Sequence, residues 1–215
     1  YRVSSNVRKI FAKYDSLEET GFEVKQGLAT SNDFRFTRAK WEVNERELAM
    51  PTSHPSKWTG QYCVIEGDYS PIMKGGKFAP YFDEPLLVCS WKKDGQELKE
   101  YVTSKYDYID SHEYVVKNES YYYKKGITWP SRPYIRGAFS IVQPGNLFSH
   151  TGMMMFPPPN TDISVVGAVL NSDAATGLLH LIMPRGGVDT QQTLKYEVGY
   201  VQSIPMPDLS SAPAE

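Results

Sequence analysis

Apolar and polar positions follow two different periods along this chain. Val7, Ile10, Phe11 and Tyr14 recur at the spacing that puts them on one helix face, and Ser4-Ser5-Asn6 supplies a cap before them. This predicts an N-terminal helix over 7–19. Residues 22–25, bounded by Gly21 and Gly27, predict a short strand. Phe34-Arg35-Phe36-Thr37-Arg38 alternates with period two, which predicts a strand with both arginines on one face. Residues 62–65 and 85–91 read as strands, and the near-continuous apolar character of the second makes it central. Lys92-Lys93-Asp94-Gly95 reads as a turn and 96–103 as the start of a helix. Residues 137–142 and 153–156 are further strands, the latter stopped by Pro157-Pro158-Pro159. The apolar segment 163–181, ended near Met183-Pro184, predicts a single C-terminal helix with Leu170, Leu178, Leu179 and Leu181 buried. The sum is an α+β fold with a mixed or antiparallel sheet, an N-terminal helix and a C-terminal helix.

Composition narrows the class. A length of 215 residues suits one large domain or two small ones, and 40% hydrophobic with 22% charged residues excludes wholesale disorder. No run of about 18 apolar residues occurs, so a cytoplasmic chain with no membrane partner is expected. The first residue is Tyr1, which suggests a piece of a longer polypeptide. Two cysteines cannot build a disulfide scaffold, and with four scattered histidines they make no zinc spacing. The net charge of −2 excludes a purely electrostatic nucleic-acid binder and leaves room for a local basic face. Residues 1–125 hold 19 Lys+Arg and 19 Asp+Glu, against 4 and 6 in 126–215. The last part therefore packs against something. Residues 1–204 are expected to form one domain and 205–215 a flexible tail.

Few motifs carry chemistry. There is no G-x-G-x-x-G after a strand, no P-loop and no nucleophile elbow near His54, His112, His150 or His180. His180, in an apolar segment, reads as a core or interface residue. Lys74-Gly75-Gly76-Lys77 reads either as a solvated turn or as a backbone nest for a phosphate. Asp83 with Glu97-Leu98-Lys99 has the spacing of a Mg²⁺-dependent nuclease, whose carboxylates hold the metal while the lysine steadies the attacking water. Glu23-Val24-Lys25 offers the same Glu-x-Lys, and about one chance match is expected in so charged a chain. Seven of the fifteen tyrosines lie between Tyr101 and Tyr123, interleaved with Lys105, Lys117, Lys124 and Lys125. They read either as a packing strand surface or as a platform stacking on bases or sugars.

Several strings in order carry a resemblance. They are Val24-Lys25-Gln26-Gly27-Leu28-Ala29-Thr30 with Asn32-Asp33-Phe34-Arg35-Phe36-Thr37-Arg38 and Trp41-Glu42-Val43; Lys74-Gly75-Gly76-Lys77-Phe78 with Val88, Trp91 and Asp94-Gly95-Gln96-Glu97-Leu98-Lys99; Lys125-Gly126-Ile127-Thr128-Trp129; Val166-Gly167-Ala168-Val169-Leu170-Asn171-Ser172; and Tyr196-Glu197-Val198-Gly199-Tyr200-Val201 leading to Ile204-Pro205-Met206-Pro207. Together they resemble large adenine-specific DNA methyltransferases, the PglX methylases of BREX phage-defence systems and related single-chain restriction-modification enzymes. Departures occur at Ser31-Asn32-Asp33, at Pro80-Tyr81-Phe82-Asp83 and at Asp173.

The resemblance implies a target recognition domain lying C-terminal to the catalytic domain. Its partners would be double-stranded DNA, the methyltransferase catalytic domain of the same chain and other defence-system proteins. The adenine-holding loop of the methylases is missing, since Phe156-Pro157-Pro158-Pro159-Asn160 has the wrong order, and so is the glycine-rich cofactor loop. S-adenosylmethionine would thus belong to the parent enzyme, with no cofactor, metal or catalytic residue in this chain. Arg35, Arg38, Lys74, Lys77, Thr128, Trp129, Ser131, Arg132 and Arg136 are the expected DNA-binding residues, arginine being suited to bidentate pairing with guanine. A Mg²⁺-dependent nuclease, or a docking module for defence proteins, is the alternative.

Overall fold

The computed structural model describes residues 3–49, 67–76, 78–133, 137–184 and 194–208, and the backbone alone at 51–52 and 63–64. The fold is α+β, built on two mixed sheets. Helix α1 (Ser5–Lys13) opens it, capped by Ser4, whose hydroxyl accepts from the Val7 amide at 3.3 Å. The expected residues up to 19 are not helical, because Asp15–Leu17 turns back to pair with the far end of the chain.

The larger sheet has five strands: β1 (Glu23–Lys25), β11 (Gly152–Phe156), β8 (Gly126–Pro130), β9 (Ser140–Val142) and β6 (Tyr81–Phe82), in that spatial order. All its pairs are antiparallel except β6 with β9. The smaller sheet runs β10 (Leu147–Phe148), β5 (Tyr69–Met73), β7 (Leu87–Ser90) and β2 (Thr37–Ala39), with β10 and β5 parallel. Strands β3 (Pro51–Thr52) and β4 (Cys63–Val64) make a separate pair.

Strand β11 explains its own sequence. Successive side chains point to opposite sheet faces. Met153 and Met155 enter one core, while Met154 and Phe156 enter another. The first core lies under helices α4 (Ile163–Leu170), α5 (Asp173–Ile182) and α6 (Val198–Gln202), around Trp129, Leu170, Leu179 and Tyr196. The second lies between the two sheets and helix α3 (Lys92–Lys105), around Phe36, Trp91, Leu98 and Phe148. A strand covered on both faces has no polar side, so an unbroken Gly-Met-Met-Met-Phe run results.

Three expectations change. Phe34–Arg38 is not one strand: Asn32 caps a single helical turn, α2 (Asp33–Phe36), by accepting from the Arg35 amide at 3.1 Å, and β2 begins only at Thr37. Segment 163–181 is two helices bent by 65°, because Asn171 closes α4 and Ser172 caps α5. Leu170 and Leu179 are buried as expected, Leu178 is half-buried, and Leu181 is 44% exposed. The tyrosine-rich segment is not a strand surface, since Tyr101 belongs to α3 and the rest lie in loops and short 3₁₀ turns. The expected turn at 92–95 holds: Lys93, Asp94 and Gly95 are all left-handed.

Residues 15–18 and 202–206 lie side by side. Leu17 donates to Ile204 O at 2.8 Å, Glu18 to Gln202 O at 3.0 Å and Met206 to Asp15 O at 2.9 Å. Pro205 and Met206, expected in the tail, are therefore buried, and residues 209–215 lie outside the described residues. Among the described residues no single helix is long and apolar enough to cross a membrane.

Candidate nucleic-acid interface

Glycines bring two distant strings together. Gly75 has φ +68°, and a Cβ there would stand 2.6 Å from Thr151 O and 3.1 Å from the Pro130 Cα. The turn after β5 thus presses directly on the end of β8. Thr151 seals the contact, its hydroxyl donating to Lys74 O at 2.7 Å. A side chain is excluded at Gly75, whereas Gly76, at φ +99°, has open space beside it. Gly27 plays the same part nearby: a Cβ would fall 1.9 Å from Phe148 O, and the Leu28 amide donates to that oxygen at 3.0 Å.

A cleft forms where these strings meet. One part, of about 620 Å³, is lined by Ser131, Arg132, Thr151, Lys195 and Glu197. A second part, of about 270 Å³, is lined by Ser31, Tyr106, Tyr108, Tyr114 and Lys117. Gln26 and His150 border both parts. Glu197 is the one carboxylate of the described lining, and it pairs with Lys195.

The expected DNA-binding residues are distributed unevenly around this cleft. Arg132 is exposed on its wall and makes no hydrogen bond or ion pair with a described residue. Ser131 is half-buried on the same wall, its amide donating to Thr151 O at 3.0 Å and its carbonyl accepting from Tyr196 at 2.8 Å. Lys74 is largely enclosed and ion-paired to Asp33, which also accepts from the Thr30 hydroxyl. Burial works to raise the Asp33 pKa, but the bonds from Lys74 and Thr30 outweigh it and hold the carboxyl below its ordinary value. Arg35 grips Glu97 Oε1 through Nε at 3.1 Å and Nη2 at 2.7 Å, and lies over the Phe36 and Tyr101 rings. Arg38 donates to Phe34 O at 2.6 Å and Thr37 O at 2.8 Å, closing the end of α2.

Thr128 and Trp129 face inward. Trp129 is 0% exposed and its indole donates to Tyr196 O at 2.9 Å; the Thr128 hydroxyl donates to Met153 O at 2.9 Å. Their place in the shared string is structural: they fix β8, which carries Ser131 and Arg132 at its exit. Lys77 and Arg136 lie outside the described residues.

The chain is 27% identical to the adenine-specific methyltransferase PglX of Lacticaseibacillus casei (strain Zhang), over 188 residues. That alignment covers 85% of this chain and 14% of the relative, so the chain spans about one-seventh of that protein's length. No protein-family model matches the chain. The chain is thus related to a short part of a PglX-like protein. The strings that meet at the cleft, around Gln26, Lys74 and Trp129, are those that carried the resemblance.

Of the nuclease set, Glu97 and Lys99 are each paired with other residues. Lys99 lies between Asp94 at 3.1 Å and Glu119 at 2.5 Å, while Glu97 is held by Arg35. Burial would depress the Lys99 pKa, yet the bonds to Glu119 and Asp94 hold it above its ordinary value. Such a lysine is committed to its carboxylates. Among the described residues no three of His, Cys, Asp and Glu gather as metal ligands.

His150 and Lys195 were not singled out by the sequence. Both reach the cleft through contacts between distant segments, His150 through its amide bond to Leu28 O at 2.9 Å. Nothing in their local sequence marks them.

Proposed function

We propose that this chain is the DNA target-recognition segment of an adenine-specific methyltransferase of a phage-defence or restriction-modification system. The observation that carries the reading is the cleft itself. A chain of net charge −2 gathers Arg132, Lys117 and Lys195 around a described lining whose one carboxylate, Glu197, is paired with Lys195. The relation to a PglX-like methyltransferase supports it, because recognition without catalysis fits a part that makes up 14% of the relative. In this reading duplex DNA lies along the cleft. Phosphate contacts set register, and Arg132 reaches a base edge from the end of β8. Lys74, Arg35 and Arg38 serve a different end: they lock α2 and the Gly75 turn so that the cleft walls keep their shape. The methyl transfer and its S-adenosylmethionine belong to a catalytic domain of the parent enzyme, and no step of it falls on these residues.

Binding to cognate and random duplex at three salt concentrations tests this. Arg132→Ala should cost about 1–3 kcal/mol on the cognate site and relax the preference at one base pair. Lys117→Ala should instead weaken both duplexes alike and reduce the salt slope by about 0.9. If Arg132→Ala and Lys117→Ala both leave affinity and salt slope unchanged, the cleft is not the DNA surface.

A further inference from the structure

The narrower part of the cleft carries exposed aromatic rings that duplex reading does not use. Tyr108 is 82% exposed and Tyr114 is 66% exposed, in a protein that buries Trp129, Tyr196 and Phe148 almost completely. Both rings border the same hollow, together with Tyr106, Lys117 and His150, and no carboxylate is in its described lining. Asp107 and Glu113 neighbour these tyrosines in sequence but do not line it. Tyr106 packs at 5.6 Å from Tyr108 and carries the Lys105 ammonium 5.5 Å from its own ring centre. Lys105 is tied in turn to Ser31 O at 2.6 Å. The rings are therefore arranged in a cationic setting.

We infer that this hollow is a stacking site for an unpaired nucleobase of a DNA strand. Exposed aromatic faces suit any planar base, since each has a π-face, and the lysines suit the phosphates on either side. A sugar site would need carboxylates or amides to take up hydroxyl groups, and Gln26 is the only such group in the described lining. A paired base inside a duplex shows only its edges, so the ligand must be unstacked. The hollow shares Gln26 and His150 with the Arg132 part, which places the two side by side for a strand running from a duplex at Arg132 to an unpaired nucleotide at Tyr108. This inference rests on the DNA reading of the cleft.

The test uses the whole 215-residue chain with two fluorescent probes. One is a single strand of about 10 nucleotides containing 2-aminopurine. The other is the matched duplex. Stacking is expected to quench the single-strand signal, and Tyr108→Ala and Tyr114→Ala should each weaken its binding by about 5- to 100-fold. Tyr108→Phe should keep both the quenching and the affinity, because the ring does the work. Duplex binding should fall far less than single-strand binding in the two alanine variants, and should be unchanged in Tyr108→Phe. Both side chains are exposed, so these variants keep the fold, which a thermal melt verifies. Equal single-strand affinity in the alanine variants overturns the stacking site alone. Loss on Tyr108→Phe as large as on Tyr108→Ala overturns it too, by assigning the effect to the hydroxyl. Failure of the duplex to bind at all removes the DNA reading beneath it.

Discussion

Asp33 and Lys74 show how a residue that looks free in the sequence is spoken for in the fold. Their positions are 41 residues apart, so no local pattern joins them. The folded pKa of Asp33 is lowered, so the pair stabilises fully above the unfolded value near 3.9 and fades as pH falls through the folded one. Asp33 is more than half exposed, and solvent screening limits the gain to about 0.5–1 kcal/mol. Urea unfolding of Asp33→Asn should therefore lie below the parent by that amount at neutral pH. The gap should close as pH falls below the lowered folded pKa of Asp33. A gap of the same size at both pH values would show that the carboxylate charge is not what matters.

At the scale of elements, Asn171 fastens the C-terminal helices to the sheet. Its Oδ1 accepts from the Phe139 amide at 3.0 Å, and its Nδ2 donates to Phe139 O at 2.7 Å and Gly167 O at 2.8 Å. The side chain is 7% exposed, so loss of these partners leaves buried backbone groups unpaired. Asn171→Ala should cost about 1–3 kcal/mol. Asn171→Asp should be as costly or worse, because an ionised carboxylate would face two carbonyls. Denaturant midpoints of the two variants check this, and parity of either with the parent contradicts it.

This element also shows where sequence reading stops. Segment 163–181 has the composition of one apolar helix, and the break follows from Ser172, a residue type that caps helices as readily as it continues a polar face. Strands β1, β7 and β11 were legible because punctuation and apolar runs are local signals. Turn α2 is hidden in the sequence because Phe34-Arg35-Phe36 alternates like a strand while Asn32 caps like a helix start, and the two local signals compete. The cleft was legible only in part: Ser131 and Arg132 follow a string quoted from the sequence, whereas His150 arrives by chain crossing. The commitments of Arg35 to Glu97 and Lys74 to Asp33, across 62 and 41 residues, were invisible for the same reason.

For the whole molecule, the doubly covered β11 ties two cores into one unit. Trp129 belongs to the first core and Trp91 to the second, and Met154 and Met155 sit between them on opposite faces. Met155→Ala should cost about 2–5 kcal/mol, since the side chain is 0% exposed. The loss should register equally in both cores, because one strand serves both. Unfolding followed in Trp91→Phe and in Trp129→Phe backgrounds should show the same drop in midpoint caused by Met155→Ala. A shift confined to the background that retains Trp129 would mean that the cores unfold separately.

The pairing of residues 15–18 with 202–206 gives this unit a single doorway. Leu17 and Ile204 are joined by one backbone bond, so an early and a late segment of the fold are fastened to each other. A polypeptide fused to both segments would meet itself at one seam and would not need to span the cleft. A unit closed in this way could be joined to another polypeptide at that seam without opening its cores or its cleft.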